Sequence, residues 1–133
     1  MSTCFLRVSR PAGRIFLVNL TKTLCVDLWY LKLYLGGELF ENSVDLVVNQ
    51  TGFANALAKP MPQASGKFQT IALQARDHQL LQKCRIDVSI NIASMQEMEH
   101  NVIRAYFTVM REIALTQDLL FYCLTESRRH FQI

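Results

Sequence analysis

The spacing of apolar residues changes several times along the chain, and each change marks a new predicted element. Short continuous runs rich in β-branched and aromatic residues predict buried strands, and they lie at 14–20, 43–48, 68–74, 85–92 and 119–124. Between these runs apolar residues recur at steps of three and four, which predicts helices. The helices are expected at 22–35, 51–59, 77–83 and 95–114.

The alternation of strands with helices predicts the fold class. Strands that are apolar throughout, each followed by a helix, are typical of a parallel sheet covered on both faces. We therefore expect a three-layer α/β domain with a mainly parallel, Rossmann-like sheet. The 133 residues suit a single domain, 1–133. Ligands of such sheets bind beyond the carboxyl ends of the strands, so residues that follow strands are the candidates for a site.

The amino-terminal residues predict an antiparallel hairpin in front of this sheet. Residues 4–9 have strand composition, and Arg10-Pro-Ala-Gly13 has the chemistry of a turn. That turn is too short for the crossover that parallel strands need. The added strand is expected to place Phe5 or Leu6 in the core. It would either bridge to residues 86–92 or pair with a second copy of the chain.

The apolar faces of the two long helices identify candidate core residues. Leu24, Leu28, Leu31 and Leu35 share one face of the first helix, and residues 28–31, which include Trp29 and Tyr30, are interpreted as core packing. The buried face of the last helix is expected to carry five residues, namely Ile103, Tyr106, Phe107, Met110 and Ile113.

Composition and charge exclude several classes of protein. Lys and Arg number 14 and Asp and Glu 11, which gives a net charge of +3. Half of the residues are hydrophobic, too many for a disordered chain, and the basic excess is too small for a nucleic-acid-binding protein. Neither a signal-peptide core nor an apolar run of membrane-spanning length is present, so we expect a cytoplasmic protein without a membrane partner. The four scattered cysteines predict buried free thiols and no metal site.

One polar constellation follows the strand at 85–92. Asn91, Ser94, Gln96 and Glu97 place four hydrogen-bonding side chains where a strand ends and a helix is predicted to begin. Such a cluster can fix a polyhydroxylated ligand or hold a base beside a hydroxyl group. Ser94 and Glu97 also have the spacing of a helix capping box. The two interpretations can hold together.

The same region resembles a known family. Arg85-Ile-Asp-Val-Ser-Ile-Asn-Ile-Ala-Ser-Met-Gln-Glu-Met98, with 102–107 and 120–123, resembles the carboxyl half of the sugar O-methyltransferases, which are class I S-adenosylmethionine-dependent methyltransferases. Residues 14–24 and 28–31 resemble the second strand of that family and the helix after it. The resemblance covers most of 14–125 and is most specific over 85–107.

The resemblance implies transfer of a methyl group from S-adenosylmethionine to the hydroxyl of a sugar or a glycosylated small molecule. Such an enzyme mainly positions the hydroxyl group and removes its proton. Glu97 would be the base or an anchor for the acceptor, and His100 is the weaker candidate for the base. Asn91, Ser94 and Gln96 would bind the substrate, and Asn19 would contact the cofactor ribose.

Two features depart from the family pattern. The five glycines include no Gly-x-Gly spacing for a cofactor loop, and Asn19 stands where an acidic residue is expected. The chain is therefore interpreted as a short, truncated or degenerate methyltransferase, incomplete at its amino terminus. The alternative is a non-catalytic methyltransferase-like remnant that acts as a binding or oligomerisation module, with a homodimer as one form. A structural shell subunit is a third class that composition leaves open.

Overall fold

The computed structural model describes the backbone of residues 3–9, 12–62, 67–92 and 98–124, and their side chains apart from those of 3–9, 12, 92 and 124. These residues contain a six-stranded sheet of order β3-β4-β2-β1-β5-β6. Its strands are β1 (Thr3–Ser9), β2 (Ala12–Asn19), β3 (Val44–Val47), β4 (Phe68–Gln74), β5 (Val88–Ile92) and β6 (Leu120–Leu124).

Five of these strands point in one direction. β2 is parallel to β4, β4 to β3, and β5 to β6. β1 is antiparallel to both of its neighbours, β2 and β5, so β2 and β5 run the same way. The prediction of a mainly parallel α/β sheet is confirmed, and the arrangement is compatible with a Rossmann-like fold.

The predicted amino-terminal hairpin is also confirmed. β1 pairs with β2 from Thr3 opposite Val18 to Ser9 opposite Ala12. On its other side Thr3 lies opposite Asn91 and Leu6 opposite Val88. Of the two predicted arrangements, the strand therefore adopts the one that bridges to 86–92 in its own chain. The expectation that Phe5 or Leu6 enters the core concerns side chains outside those described.

Helices follow most of the strands. They are α1 (Thr21–Leu35), α2 (Gly37–Ser43), α3 (Gln50–Ala58), a 3-10 helix (Ala75–Lys83) and α4 (His100–Ala114). The sequence did not predict α2. Gly36 adopts a φ of 81°, a left-handed conformation that glycine adopts without strain; it ends α1 and lets a second helix begin at once. Among the described residues, no helix combines the length and the apolar character needed to cross a membrane.

Helices cover both faces of the sheet. Phe16, Val18, Ile71 and Leu73 project from β2 and β4 into one core with residues of α3, the 3-10 helix and α4. Because side chains alternate along a strand, Ile15 projects from the opposite face, where it lines a cleft with Leu31 and Leu35 of α1. The larger core therefore lies between the sheet and α4.

The start and the buried face of α4 differ from prediction. The helix begins at His100, with Glu99 as its N-cap residue, so the expected start at 95 is wrong. The capping box predicted for Ser94 and Glu97 lies outside the described residues. Most helix stability comes from packing of an apolar face, and the buried residues of α4 begin only at Tyr106. Phe107 is partly exposed, contrary to prediction, and meets Phe121 edge-on at the rim of the core.

Two predictions of burial are also wrong. Trp29 and Tyr30 are exposed by 58% and 62%, because a helix lying on a sheet buries one side, which Leu24 and its neighbours occupy. Cys25, next to Leu24 on the helix, and Cys123, on the edge strand β6, are free but exposed. Cys84 is half-buried, and the side chain of Cys4 lies outside those described.

Candidate functional site

The carboxyl ends of the parallel strands meet at one edge of the sheet, here called the carboxyl edge. β2 ends at Asn19, β4 at Gln74 and β5 at Ile92. Thr3 lies between the ends of β2 and β5, because it pairs with both Val18 and Asn91. Asn19 and Asn91 therefore lie at the same edge, two strand spacings or about 10 Å apart.

Asn19 is tied to α1 at this edge. Its Oδ1 accepts a hydrogen bond from the backbone N–H of Leu20 at 2.8 Å. Its Nδ2 donates to Oδ2 of Asp27 at 2.8 Å, and the Asn19 side chain is buried. The end of β2 is thus linked to the second turn of α1, and a carboxylate stands beside the residue at which the family pattern has an acid.

Sequence reasoning missed Asp27. It is the only acidic residue in α1, and it remains half-buried rather than enclosed. A single acidic residue in a largely apolar helix, in the second turn after the end of β2, was the signal that could have identified it. Its position against the end of β2 follows from the tight turn at Leu20, which begins α1 directly after the strand.

A second polar contact links the same helix to the next strand. The hydroxyl of Thr21 donates to Oε1 of Gln74 at 3.0 Å, and this contact is exposed to solvent. Together with Asn19 and Asp27, it lines the carboxyl edge on the face of the sheet that α1 covers. Neutral amides, a hydroxyl and a carboxylate are groups that recognise the hydroxyls of a sugar or a ribose.

Asn91 lies at the same edge but on the other face. Ser89 and Asn91 alternate with the half-buried Val88 and Ile90 of β5 and are completely buried on the face of the larger core. The hydroxyl of Ser89 has no hydrogen-bond partner among the described residues. Asn91 is therefore enclosed beneath α4, whereas Asn19 and Asp27 lie toward α1. Its role in binding a substrate stays a prediction.

The other residues predicted for the site are only partly described. Ser94, Gln96 and Glu97 lie outside the described residues. His100 is the first residue of α4 and its side chain is exposed. The structure thus brings Asn19 and Asn91 to one edge of the sheet and shows Asp27 at the same edge. The positions of the predicted base, Glu97, and its neighbours stay predictions.

The opposite edge of the sheet, here called the amino edge, carries a network of bonded polar groups. Arg14 is buried and donates from Nε to Oε1 of Gln69 at 2.7 Å. It also donates to the carbonyls of Leu57 and Lys59 at 3.3 and 3.0 Å, where it meets the negative end of α3. Gln69 in turn donates to Oδ2 of Asp45 at 2.8 Å.

Asp45 is held in its charged form within this network. Burial raises the pKa of Asp45, but hydrogen bonds from Lys59 and Gln69 outweigh that effect and leave the pKa below its ordinary value. Lys59 also forms an ion pair with this carboxylate. A cleft of about 480 Å³ adjoins the network, with an apolar wall from α1 and α2. Because the polar groups of its rim bond one another, this network is suited to stabilising the fold.

Two rings, of the half-buried His78 and the buried Tyr106, meet between the 3-10 helix and α4. Their centres are 4.7 Å apart, and Nδ1 of His78 contacts the carbonyl of Ala75 at 2.9 Å. Burial raises the pKa of Tyr106 to about 12, so this phenol stays protonated at neutral pH. The sequence predicted Tyr106 as core but did not reveal its partner. The pair lies on the opposite face of the sheet from Asp27 and is not assigned a role in binding.

The described residues form an α/β domain with a mainly parallel sheet, and polar side chains lie along the carboxyl edge of that sheet. Comparisons with protein-family models, with curated proteins and with solved structures find no match to this chain. Over the described ranges, no group of three or more side chains of the types that bind metals is assembled. The resemblance to sugar O-methyltransferases therefore stays a prediction.

Proposed function

We propose that the chain is a short methyltransferase-like domain that binds S-adenosylmethionine at the carboxyl edge and transfers its methyl group to a sugar hydroxyl. The observation that supports this most is the place of β1. In the fold that the resemblance implies, the first strand lies between the second and the fourth. β1 occupies the corresponding slot, between β2 and β5, and it keeps the carboxyl ends of those strands at one edge.

The residues of this edge fit one part of the cofactor. A carboxylate can accept hydrogen bonds from the hydroxyls of a ribose, and charged acceptors make the stronger bonds. Asp27 supplies that carboxylate, and its hydrogen bond to Asn19 orients it at the end of β2. Asp27 thereby takes the part that the family pattern gives to an acid at position 19.

Fewer groups of the protein are available to bind the rest of the cofactor. A glycine-rich turn would bring backbone N–H groups toward the ligand, but the five glycines have no such spacing. β1 runs from the carboxyl edge to the amino edge, so its own carboxyl end lies away from the site. We therefore expect weak binding, with a dissociation constant close to the millimolar range.

The other roles in the proposal come from the resemblance. S-adenosylmethionine, when bound, supplies a methyl group that its sulfonium has already activated. Glu97, with His100 as the alternative, would accept the proton of the sugar hydroxyl. Asn91, Ser94 and Gln96 would orient the acceptor sugar. The protein's part is to position the hydroxyl and to take up its proton.

Calorimetric titration with S-adenosylhomocysteine tests the proposal. The wild-type chain should bind, and Asp27→Asn should weaken binding by about tenfold, or about 1.4 kcal/mol. Asp45→Asn is the matched control, because it makes the same chemical change at the amino edge and should leave affinity unchanged. Equal losses in both variants, or no heat at millimolar ligand in the wild-type chain, would contradict the proposal.

A non-catalytic binding or oligomerisation module is the second candidate. The observation that favours it is the antiparallel direction of β1. A strand in this direction fills the central slot but is not followed at the carboxyl edge by the loop and helix that a parallel first strand would place there. The same titration separates the two, since absence of binding by a folded wild-type chain favours this second candidate.

A further inference from the structure

The outer face of α1 is apolar and exposed. Leu24, Leu28, Leu31 and Leu35 are directed to the body of the domain, with Leu24 buried and the other three partly buried. On the side directed to solvent, five large residues recur at the i, i+3, i+4, i+7 and i+8 positions that form one stripe of a helix. This outer stripe consists of Val26, Trp29, Tyr30, Leu33 and Tyr34, each at least half exposed.

The outer stripe is large for the surface of a monomer. Trp29 is 58% exposed and Tyr34 is 86% exposed. Since a large aromatic side chain has 150–250 Å² of surface, the five residues together expose on the order of 600 Å². That is the upper end of the patches found on monomers, and it approaches the roughly 800 Å² per partner of a specific interface. Three of the five are Trp or Tyr, which are enriched at interfaces.

The charges at the two ends of the outer stripe favour a second copy as the occupant. Lys22, exposed in the first turn of α1, lies at one end, and Glu38, exposed just after Gly36, lies at the other. If two copies pair with their α1 helices antiparallel about Tyr30, the end of α1 that carries Lys22 in one copy lies beside the end that Glu38 follows in the other. A two-fold interface is self-complementary in this way.

We propose that the chain forms a homodimer through antiparallel packing of the outer stripes of two α1 helices. Ridges of Trp29, Leu33 and their neighbours would interdigitate at a helix separation of about 8–10 Å. The dimer leaves the carboxyl edge at the inner side of α1 uncovered. The inference is therefore independent of S-adenosyl binding, and the titration and the association experiment can fail separately.

Sedimentation equilibrium over a range of concentrations tests the dimer. The wild-type chain should be dimeric in the micromolar range, and Leu33→Glu should raise the dimer dissociation constant by about thirtyfold or more. Leu115→Glu is the matched control, because Leu115 is 80% exposed at the end of α4, on the other side of the sheet. A monomeric wild-type chain, or a dimer weakened no more by Leu33→Glu than by Leu115→Glu, would overturn the proposal.

Trp29 gives a second readout that needs no variant. It is the only tryptophan in the sequence, so its emission reports on the outer stripe alone. Diluting the wild-type chain through the dissociation range should shift the emission to longer wavelength and increase quenching by acrylamide. Emission that is independent of concentration while sedimentation shows a dimer would place the interface elsewhere and contradict the proposal, even if Leu33→Glu fails to fold.

Discussion

The two edges of the sheet use polar residues in different ways. At the amino edge, the groups of Arg14, Gln69 and Asp45 bond one another and the end of α3. At the carboxyl edge, the buried amide of Asn19 holds the half-buried carboxylate of Asp27. One edge contains a network around a buried cation, and the other presents a half-buried acid to which the amide of Asn19 donates.

This difference indicates which edge serves the fold and which can serve a ligand. A buried charge must be paired and hydrogen-bonded or it destabilises the protein. The side chain of Gln69 and the carbonyls of Leu57 and Lys59 therefore accept hydrogen bonds from Arg14. Asp27 is reached by solvent and needs no such network. We therefore expect substitutions at the amino edge to change stability, and substitutions at the carboxyl edge to change binding.

Removal of the buried guanidinium should have the largest effect on stability. Arg14→Met leaves Gln69 and two backbone carbonyls without their donor. We expect a loss of about 3 kcal/mol in the free energy of unfolding, because buried polar groups are costly when unsatisfied. Urea unfolding followed by circular dichroism measures it.

Arg76→Met is the control for that measurement. Arg76 is largely exposed, and its nearest acidic oxygen, on Asp77, is 3.9 Å away, so the change should cost less than about 0.5 kcal/mol. Equal costs for the two variants would mean that the amino-edge network does not stabilise the fold.

Restoring an acid at the end of β2 should have an intermediate effect. Asn19→Asp replaces the donor to Asp27 with a second carboxylate, and repulsion raises the pKa of one member of the pair. We expect a loss of about 1–2 kcal/mol at neutral pH.

The loss should shrink as the pH falls below the raised pKa, because one carboxyl group then binds a proton and can donate to the other. Urea midpoints measured at several pH values report it. Asn55→Asp, on the exposed side of α3, is the control and should show little effect at any pH. A pH-independent loss would show that the contact between residues 19 and 27 is not electrostatic.

The smallest effect is expected at Asp45. Its pKa is lowered in the folded protein, so the stability it contributes is present at neutral pH and is lost as the pH falls through that pKa. Asp45→Asn should cost about 1 kcal/mol at neutral pH, chiefly through the bond from Gln69, since the Lys59 side chain is about half exposed.

The cost should fade once the pH falls below that lowered pKa, where the wild-type carboxyl group is also protonated. Comparing urea midpoints of the two chains at neutral and acidic pH checks this. A difference that grows toward acidic pH would contradict the lowered pKa.

The sheet could be predicted from the sequence because its determinants are local. Apolar runs located most strands, and the shortness of the turn at 10–13 required an antiparallel hairpin, which the pairing of β1 with β2 and β5 confirms. The start of α4 was predicted five residues too early. Residues 95–99 have good helix propensity, and propensity alone does not show where a helix begins to pack against the core.

The contacts at the two edges could not be predicted in the same way. The bond between Arg14 and Gln69 joins residues 55 positions apart, and the partner of Asn19 was identifiable only once α1 was known to begin directly after β2. Trp29 and Tyr30 were interpreted as core because an apolar run in a helix does not show which of its residues face the sheet. The exposure of the outer stripe to which they belong is the feature that motivates the proposed dimer.

The most direct test of the central claim is a map of where an S-adenosyl ligand contacts the protein. Amide chemical shifts of the ¹⁵N-labelled wild-type chain, recorded during titration with S-adenosylhomocysteine, provide that map. The proposal predicts shifts concentrated at Asn19, Asp27 and Gln74, at the carboxyl edge, while Gly13 and Lys67 at the amino edge stay unchanged. No shifts at millimolar ligand, or shifts centred on the cleft beside Asp45, would contradict it.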